Sequence, residues 1–333
     1  MPHRLGLAMN ARTVLRSTRQ AMAALLAATA LPCVGIEQAS VTLPEPRAAC
    51  TSAPPSYRFL RFLEDFGTLR DPACRTDPWD ALKYIALGDG SAGALTLGAD
   101  ARWVLINARY LSFGNEGGDN HSVLLQRYHA HASLRVSGEL RVFAEVKSNY
   151  EQGREPGPIG TDVDRLDVHQ AFVDLGAPSS AMLRVGRQEL LFGSGRRIAP
   201  RNGPNVRGSF DAVRLMTRAQ EWQVDAFAFR PVAIDPGRFD DHIVDTQTYW
   251  GAYATGPHHA FAPALLDVYY FSANRDGARY QQGAANERRQ TMGARLFGRI
   301  EAWDHDHELS LQWGRFGAAP IRAWAIASET GYT

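Results

Sequence analysis

From about residue 93 onward, apolar and polar residues alternate with period two in segments of roughly 10 to 14 residues, separated by clusters of Gly, Pro, Asn and Asp. In 124–136 one face carries Leu124, Gln126, Tyr128, Ala130, Ala132, Leu134 and Val136. The other carries Leu125, Arg127, His129, His131, Ser133 and Arg135. Segment 140–148 repeats the design, with Leu140, Val142, Ala144 and Val146 against Arg141, Phe143, Glu145 and Lys147. Segment 95–105 sets Leu95, Leu97, Ala99, Ala101 and Trp103 against Thr96, Gly98, Asp100 and Arg102. Successive side chains of a strand point to opposite faces, so each segment has one apolar and one polar face. A soluble sandwich turns its apolar face inward, whereas a membrane barrel turns it to lipid and keeps the charges inside. The recurring charged face therefore predicts an all-β protein, a transmembrane antiparallel up-and-down β-barrel, with the sandwich as the alternative.

The alternation weakens in 182–191. Leu183 and Val185 face one way, and continuing the period puts Arg187 on their lipid side, which predicts a bulge or an exit from the membrane. Segments 166–175, 211–218, 222–230, 248–255, 265–274, 290–300, 308–316 and 321–328 extend the pattern to about a dozen strands. Tyr110, Phe113, Tyr150, Phe192, Trp222, Tyr249, Trp250, Tyr270, Trp303 and Trp313 lie near strand ends, where barrels place interfacial girdles.

The N-terminus reads differently. Arg4, Arg12, Arg16 and Arg19 precede an apolar run from Ala21 to Gly35, which predicts a secretory signal peptide over 1–36. The run is shorter than the roughly 20 apolar residues of a membrane-spanning helix, and it contains Pro32. A Pro/Ala/Ser-rich linker over 37–56 and a periplasmic lead-in of short turns over 57–92 follow, ahead of the barrel region, 93–333. Export leaves Cys50 and Cys74 in an oxidising compartment, where one disulfide is possible. The expected location is the outer membrane of a Gram-negative-type cell. A formal net charge of +1 gives no overall basic field, so no nucleic-acid partner is expected.

Several short motifs resemble chemistry and fail on context. Gly88-Asp-Gly-Ser-Ala-Gly93 fits a dinucleotide fingerprint, but a strand follows it where a helix N-terminus is needed, so it reads as a turn. Gly193-Ser-Gly195 lacks the nucleophile-elbow spacing and is a turn. Asp162, Asp164 and Asp167 lack a calcium loop's glycine and final glutamate and read as a solvated polar loop, and His305-Asp-His307 reads as an exposed turn. Neither cofactor nor metal is expected, nor is an enzyme; the enzymatic alternative, of the lipase or protease kind, requires a nucleophile, base and orienter within hydrogen-bond reach. Charge placement carries more content: Arg184, Arg187, Arg196, Arg197, Arg201, Arg207, Arg214 and Arg218 face only Glu189 and Asp211 in the same stretch. Arginine's planar fork stays charged and binds carboxylates in two-point fashion, so arginines along a pore attract polyanions.

The segments Tyr57-Arg-Phe-Leu-Arg-Phe-Leu-Glu-Asp-Phe, Asp77-Pro-Trp-Asp-Ala-Leu-Lys-Tyr-Ile, Leu125-Gln-Arg-Tyr, Asp164-Arg-Leu-Asp-Val-His-Gln-Ala-Phe-Val-Asp174, Val185-Gly-Arg-Gln-Glu-Leu, Gly203-Pro-Asn-Val-Arg-Gly-Ser-Phe-Asp211 and Trp250-Gly-Ala-Tyr-Ala, in this order, resemble the alginate export family. The resemblance implies a barrel of about 18 strands whose lumen, lined by arginines and acids, passes a carboxylated polysaccharide. It points to Arg127, Arg184, Arg187 and Arg214 for polyanion contact, with Glu145, Asp167 and Asp174 as balancing acids. Strand alternation adds Arg102, Arg135, Arg141 and Arg295 to the pore-lining set. The expected function is passive transport of alginate or an alginate-like anionic polysaccharide, or of another anionic solute. The expected partners are outer-membrane lipid, lipopolysaccharide and the barrel-assembly machinery. The alternatives are a plugged structural or adhesion-type barrel and a non-functional fragment. Against the family's strand count, the sequence reads as C-terminally truncated, with about six strands missing and the sheet open or incomplete.

Overall fold

The computed structural model describes residues 50, 56–88, 93–109, 121–155, 157–177, 179–258 and 264–333. The expected signal peptide, most of the linker, Tyr110 and Phe113 lie outside the described residues.

Fourteen strands follow the chain: β1 (Ile85–Leu87), β2 (Gly93–Ala108), β3 (His121–Arg135), β4 (Leu140–Gln152), β5 (Asp164–Gly176), β6 (Ala181–Gln188), β7 (Phe210–Ala219), β8 (Trp222–Ala233), β9 (His242–Ile243), β10 (Gln247–His258), β11 (Ala264–Tyr280), β12 (Gly283–Ile300), β13 (Trp303–Phe316) and β14 (Ala319–Tyr332). Apart from β9, a two-residue strand set on β8, each strand pairs antiparallel with the next, an up-and-down meander. The twelve segments that alternate in the sequence are β2 to β8 and β10 to β14. β1 and β9 are too short to show a period.

Register turns alternation into two opposed surfaces. Opposite pairs such as Leu134↔Val142, Leu309↔Ile326 and Leu311↔Trp324 gather the apolar residues on one face. That face is bare: Leu105 is 67% exposed, Leu311 51% and Ile326 66%. The other face is covered, and Glu145, Lys147 and Arg184 are exposed by only 2%, 1% and 1%. Burying charge while exposing aliphatic side chains inverts the order expected of a protein surrounded by water. Each aliphatic side chain withdrawn from water gains about 1.5–3 kcal/mol, which favours placing the bare face in hydrocarbon. Tyr150, Trp250, Trp303 and Trp313 are exposed, as girdle residues would be. Phe192 and Tyr249 are not, because they pack on the covered face against Phe227 and Phe229.

Among the described residues no ladder joins β14 to β1 or β2, so the sheet is open, with one edge along β14 and the other along β1 and the part of β2 beyond Leu95. Unpaired backbone amides and carbonyls in hydrocarbon cost several kcal/mol each, so such edges need a partner there.

The lead-in consists of three short 3-10 turns (Arg61–Leu63, Gly67–Arg70, Pro72–Cys74) and one helical turn, α1 (Asp80–Lys83). It docks on the covered face through its aromatic side chains. Phe62 lies edge-on to Phe143 and Phe172, and Arg61 reaches Asp100 of β2 at 3.4 Å. Cys50 and Cys74 are disulfide-bonded, with Cα atoms 4.8 Å apart. Closing a loop of this length removes unfolded-state entropy worth about 3 kcal/mol. Asp80 accepts from the amides of Thr76 and Asp77 at 2.9 Å and from Lys83 at 2.8 Å. The hydrogen bond from Lys83 holds its carboxyl below the usual carboxylate range. Because the folded value is depressed, the contribution is complete above the ordinary carboxyl value and is lost as pH falls through the folded one. Protection factors for hydrogen exchange over 76–84, relative to the intrinsic rate at each pH, are expected to fall on strong acidification, and at neutral pH in Asp80→Asn. Cys74→Ser is expected to expose 57–75 to protease while protection of β3 to β5 stays unchanged.

Candidate functional site

The covered face is a lattice of opposite charges set by register. Arg141 of β4, Asp174 of β5 and Arg184 of β6 stand opposite one another. Asp174 accepts from Arg184 Nε at 2.7 Å and from Arg141 Nη2 at 2.5 Å. The Arg184 guanidinium also lies over the rings of Phe62 and Phe172, at 4.2 and 4.1 Å. Next in register, Arg214 of β7 is held by Asp225 of β8 at 2.8 Å. Arg295 of β12 bridges Asp267 at 3.0 Å and Asp306 at 2.7 Å. Lys147 sits between Asp164 and Asp241, at 2.7 and 2.6 Å.

Residues 189–209 leave β6 and fold onto this face. Gly193 and Gly195 adopt left-handed backbone, with φ of 56° and 78°, and a Cβ at Gly193 would overlap the Tyr253 hydroxyl. Leu190, Phe192, Ile198 and Val206 are buried, and Phe192 stacks on Phe227 at 4.6 Å. Polar bonds then pin the segment. Arg127 donates to the carbonyls of Asn205 and Pro204 at 2.7 and 2.6 Å and to Asn202 Oδ1 at 2.7 Å, while Arg102 donates to the Asn202 carbonyl at 2.9 Å. Arg207 meets Glu189 at 2.7 Å, and Arg196 meets Glu308 at 3.0 Å and Glu329 at 2.5 Å.

The residues singled out in the sequence thus fall into distinct settings. Arg141, Arg184, Arg214 and Arg295 are each matched by an aspartate on a neighbouring strand, and Arg102 and Arg127 grip the inward segment. Arg135 shares their parity and is exposed at the end of β3. Arg187 does not join them: it keeps the parity of Val185 and pairs with Asp211 at 2.9 Å beside the end of β6. Neutralisation by its neighbour is what keeps a charge on that face tolerable. Glu145 accepts from Gln170 at 2.5 Å and contacts His129 at 2.7 Å, and Asp167 accepts from the Asp241 amide at 3.0 Å.

Two expectations about loops are corrected. Asp162, Asp164 and Asp167 are not solvated: all three are buried, because Lys147, the Asn205 amide and the Asp241 amide come down on them. His305 and His307 lie within strand β13 rather than in a turn.

One cavity, of about 610 Å³, lies between the inward segment and β8 to β13. Arg197, Arg201, Arg275 and Arg289 line it, beside the rings of Phe229, Tyr249 and Phe271. Glu287 holds Arg275 and Arg289, each at 2.5 Å, and Arg197 donates to Ser310. Among the described residues no carboxylate forms an ion pair with Arg197 or Arg201, so the cavity carries excess positive charge over an aromatic floor. The sequence reading passed over Arg275 and Arg289 because nothing local distinguishes them from the matched arginines. Register, which local sequence does not display, sets Arg275 opposite Glu287 and Ala273 opposite Arg289.

A meander of antiparallel strands with a bare apolar face and a charged covered one has the architecture of an outer-membrane-type β-barrel sheet. The family model for alginate export matches residues 94–333, and the chain belongs to that family. No curated protein sequence matches it. Among solved structures it is similar to a BenF-like porin from Pseudomonas fluorescens Pf-5, with 10% identity and a TM-score of 0.46 over 73% of this chain and 64% of that one. Pseudomonas aeruginosa OccK2 (OpdF), also solved in complex with glucuronate, gives 13% and 0.45 over 73% of this chain and 62% of that one for the structure without it. Pseudomonas aeruginosa OccK8 (OprE) gives 8% and 0.39 over 72% of each chain. The chain thus spans less than two thirds of the length of the first two porins it matches.

Proposed function

We propose that this chain is part of an outer-membrane channel for anionic solutes, with alginate or an alginate-like polyuronate as the substrate class. The observation that carries the reading is the cavity of Arg197, Arg201, Arg275 and Arg289, which holds positive charge in excess of its acids. Guanidinium forks bind carboxylates, and the adjoining rings of Tyr249 and Phe271 offer flat apolar surface to a sugar face. Confinement between low-dielectric walls raises local anion concentration. The matched arginines act differently: Arg141, Arg184, Arg214 and Arg295, set against Asp174, Asp225, Asp267 and Asp306, hold the wall in register and leave little net field.

Occupation of the covered face by the lead-in and by 189–209 favours a second reading, a plugged barrel with a structural role. Planar-bilayer recording separates the two. The channel reading expects stable openings whose reversal potential across a salt gradient shows anion preference, and the plugged reading expects none.

A further inference from the structure

β3, β4 and β5 bring His129, Glu145 and His169 together beneath the inward segment, and each offers one ligand atom within 4.8 Å of those of the other two. The two imidazole centroids are 4.9 Å apart, and the side chains of all three residues are buried. Each ring spends one nitrogen on a carboxylate: His129 Nδ1 on Glu145 at 2.7 Å, and His169 Nε2 on Glu189 at 2.9 Å. The remaining nitrogens, His129 Nε2 and His169 Nδ1, meet no hydrogen-bond partner. An unpaired buried polar atom costs about 1–3 kcal/mol, so the free His169 Nδ1 beside the His129–Glu145 pair leaves a demand that a ligand would meet.

We propose that His129, Glu145 and His169 bind one divalent transition-metal ion of the Zn2+ class. Imidazole and carboxylate donors suit Zn2+, whereas Ca2+ and Mg2+ take mostly oxygen ligands in larger number. Glu189 on His169 Nε2 reproduces the carboxylate that fixes the tautomer of a metal-bound imidazole, leaving Nδ1 for the ion. Glu189 pairs directly with one cation, Arg207, with Arg127 within electrostatic reach, while nearby Lys147 is matched by Asp164 and Asp241. Tetrahedral ligands on Zn2+ stand roughly 3.3 Å apart, close to the 2.7 Å that separates His129 Nδ1 from Glu145, so the ion would take the place of the proton they share, with His169 Nδ1 as its third donor. The neighbouring Asp164, Asp167 and Asp241 cluster is a different case, because the Lys147 ammonium already fills it. Bound metal would tie β3, β4 and β5 to the inward segment through Glu189.

The test is titration of the full chain, purified in detergent and stripped with chelator, using Zn2+ alone and then Co2+ alone. One Zn2+ per chain is expected, with the visible absorption of four-coordinate cobalt. Binding should be lost in His129→Ala and His169→Ala, kept in His131→Ala, and weakened about 10- to 100-fold in Glu189→Gln. Absence of binding to the natural sequence, or undiminished binding in either alanine variant, overturns the proposal. Should those variants fail to fold, X-ray absorption of the zinc-loaded natural sequence decides: two imidazole nitrogens with oxygen support the site, and any other ligand set overturns it.

Discussion

Replacing Asp174 by alanine is expected to destabilise the sheet by about 3–5 kcal/mol, the largest single-residue loss in the barrel wall. Asp174 is the only carboxylate among the described residues that pairs with Arg184, and it also holds Arg141. Arg184 is 1% exposed between two phenylalanine rings, so without Asp174 its charge stays buried with no counter-ion. The pair as a whole contributes much less than this loss, because desolvation offsets most of the attraction. The double variant Asp174→Leu with Arg184→Met should therefore recover most of the stability. Urea titration of the refolded protein in detergent checks both results. A small loss in Asp174→Ala would mean that Arg184 reaches solvent.

Charge reversal at the cavity is expected to have the largest effect on transport. With Arg275→Glu and Arg289→Glu together, the excess positive charge around Glu287 becomes an excess of negative charge. Anion preference should then turn to cation preference. The matched control is Arg214→Gln with Asp225→Asn, which removes a wall pair and changes no net charge, so selectivity should hold. Reversal potentials across a salt gradient distinguish the two. Equal shifts in both variants would show that the whole wall sets selectivity, and unchanged potentials in both would take the cavity out of the transport path.

Where structure follows from neighbouring residues, the sequence was readable. Period-two alternation is imposed by strand geometry itself, so 124–136 and 140–148 announced both their strands and their two faces. Arg187 announced its exceptional position through the same period. The inward segment 189–209 was not readable. Its composition is that of a basic surface loop, and its anchors are distant in the chain: Arg127 to Asn205 spans 78 residues and Arg196 to Glu308 spans 112. For the same reason Asp162, Asp164 and Asp167 looked solvated, since the groups that cover them come from elsewhere. Which arginines keep a net charge depends on these long-range matches, and so the cavity pair of Arg275 and Arg289 could not be told from Arg295.

The central claim is that the bare apolar face lies in lipid and the charged face inside. Spin labels test it in proteoliposomes, on a background with Cys33 replaced. Val142→Cys and Val146→Cys report the bare face, and Ala325→Cys and Ala327→Cys the opposite face of β14, opposite Ser310 and Glu308. The account predicts that dissolved oxygen, which concentrates in hydrocarbon, relaxes the labels at 142 and 146, while a water-soluble nickel chelate relaxes those at 325 and 327. Reversal of this order, or nickel access at all four positions, would contradict it.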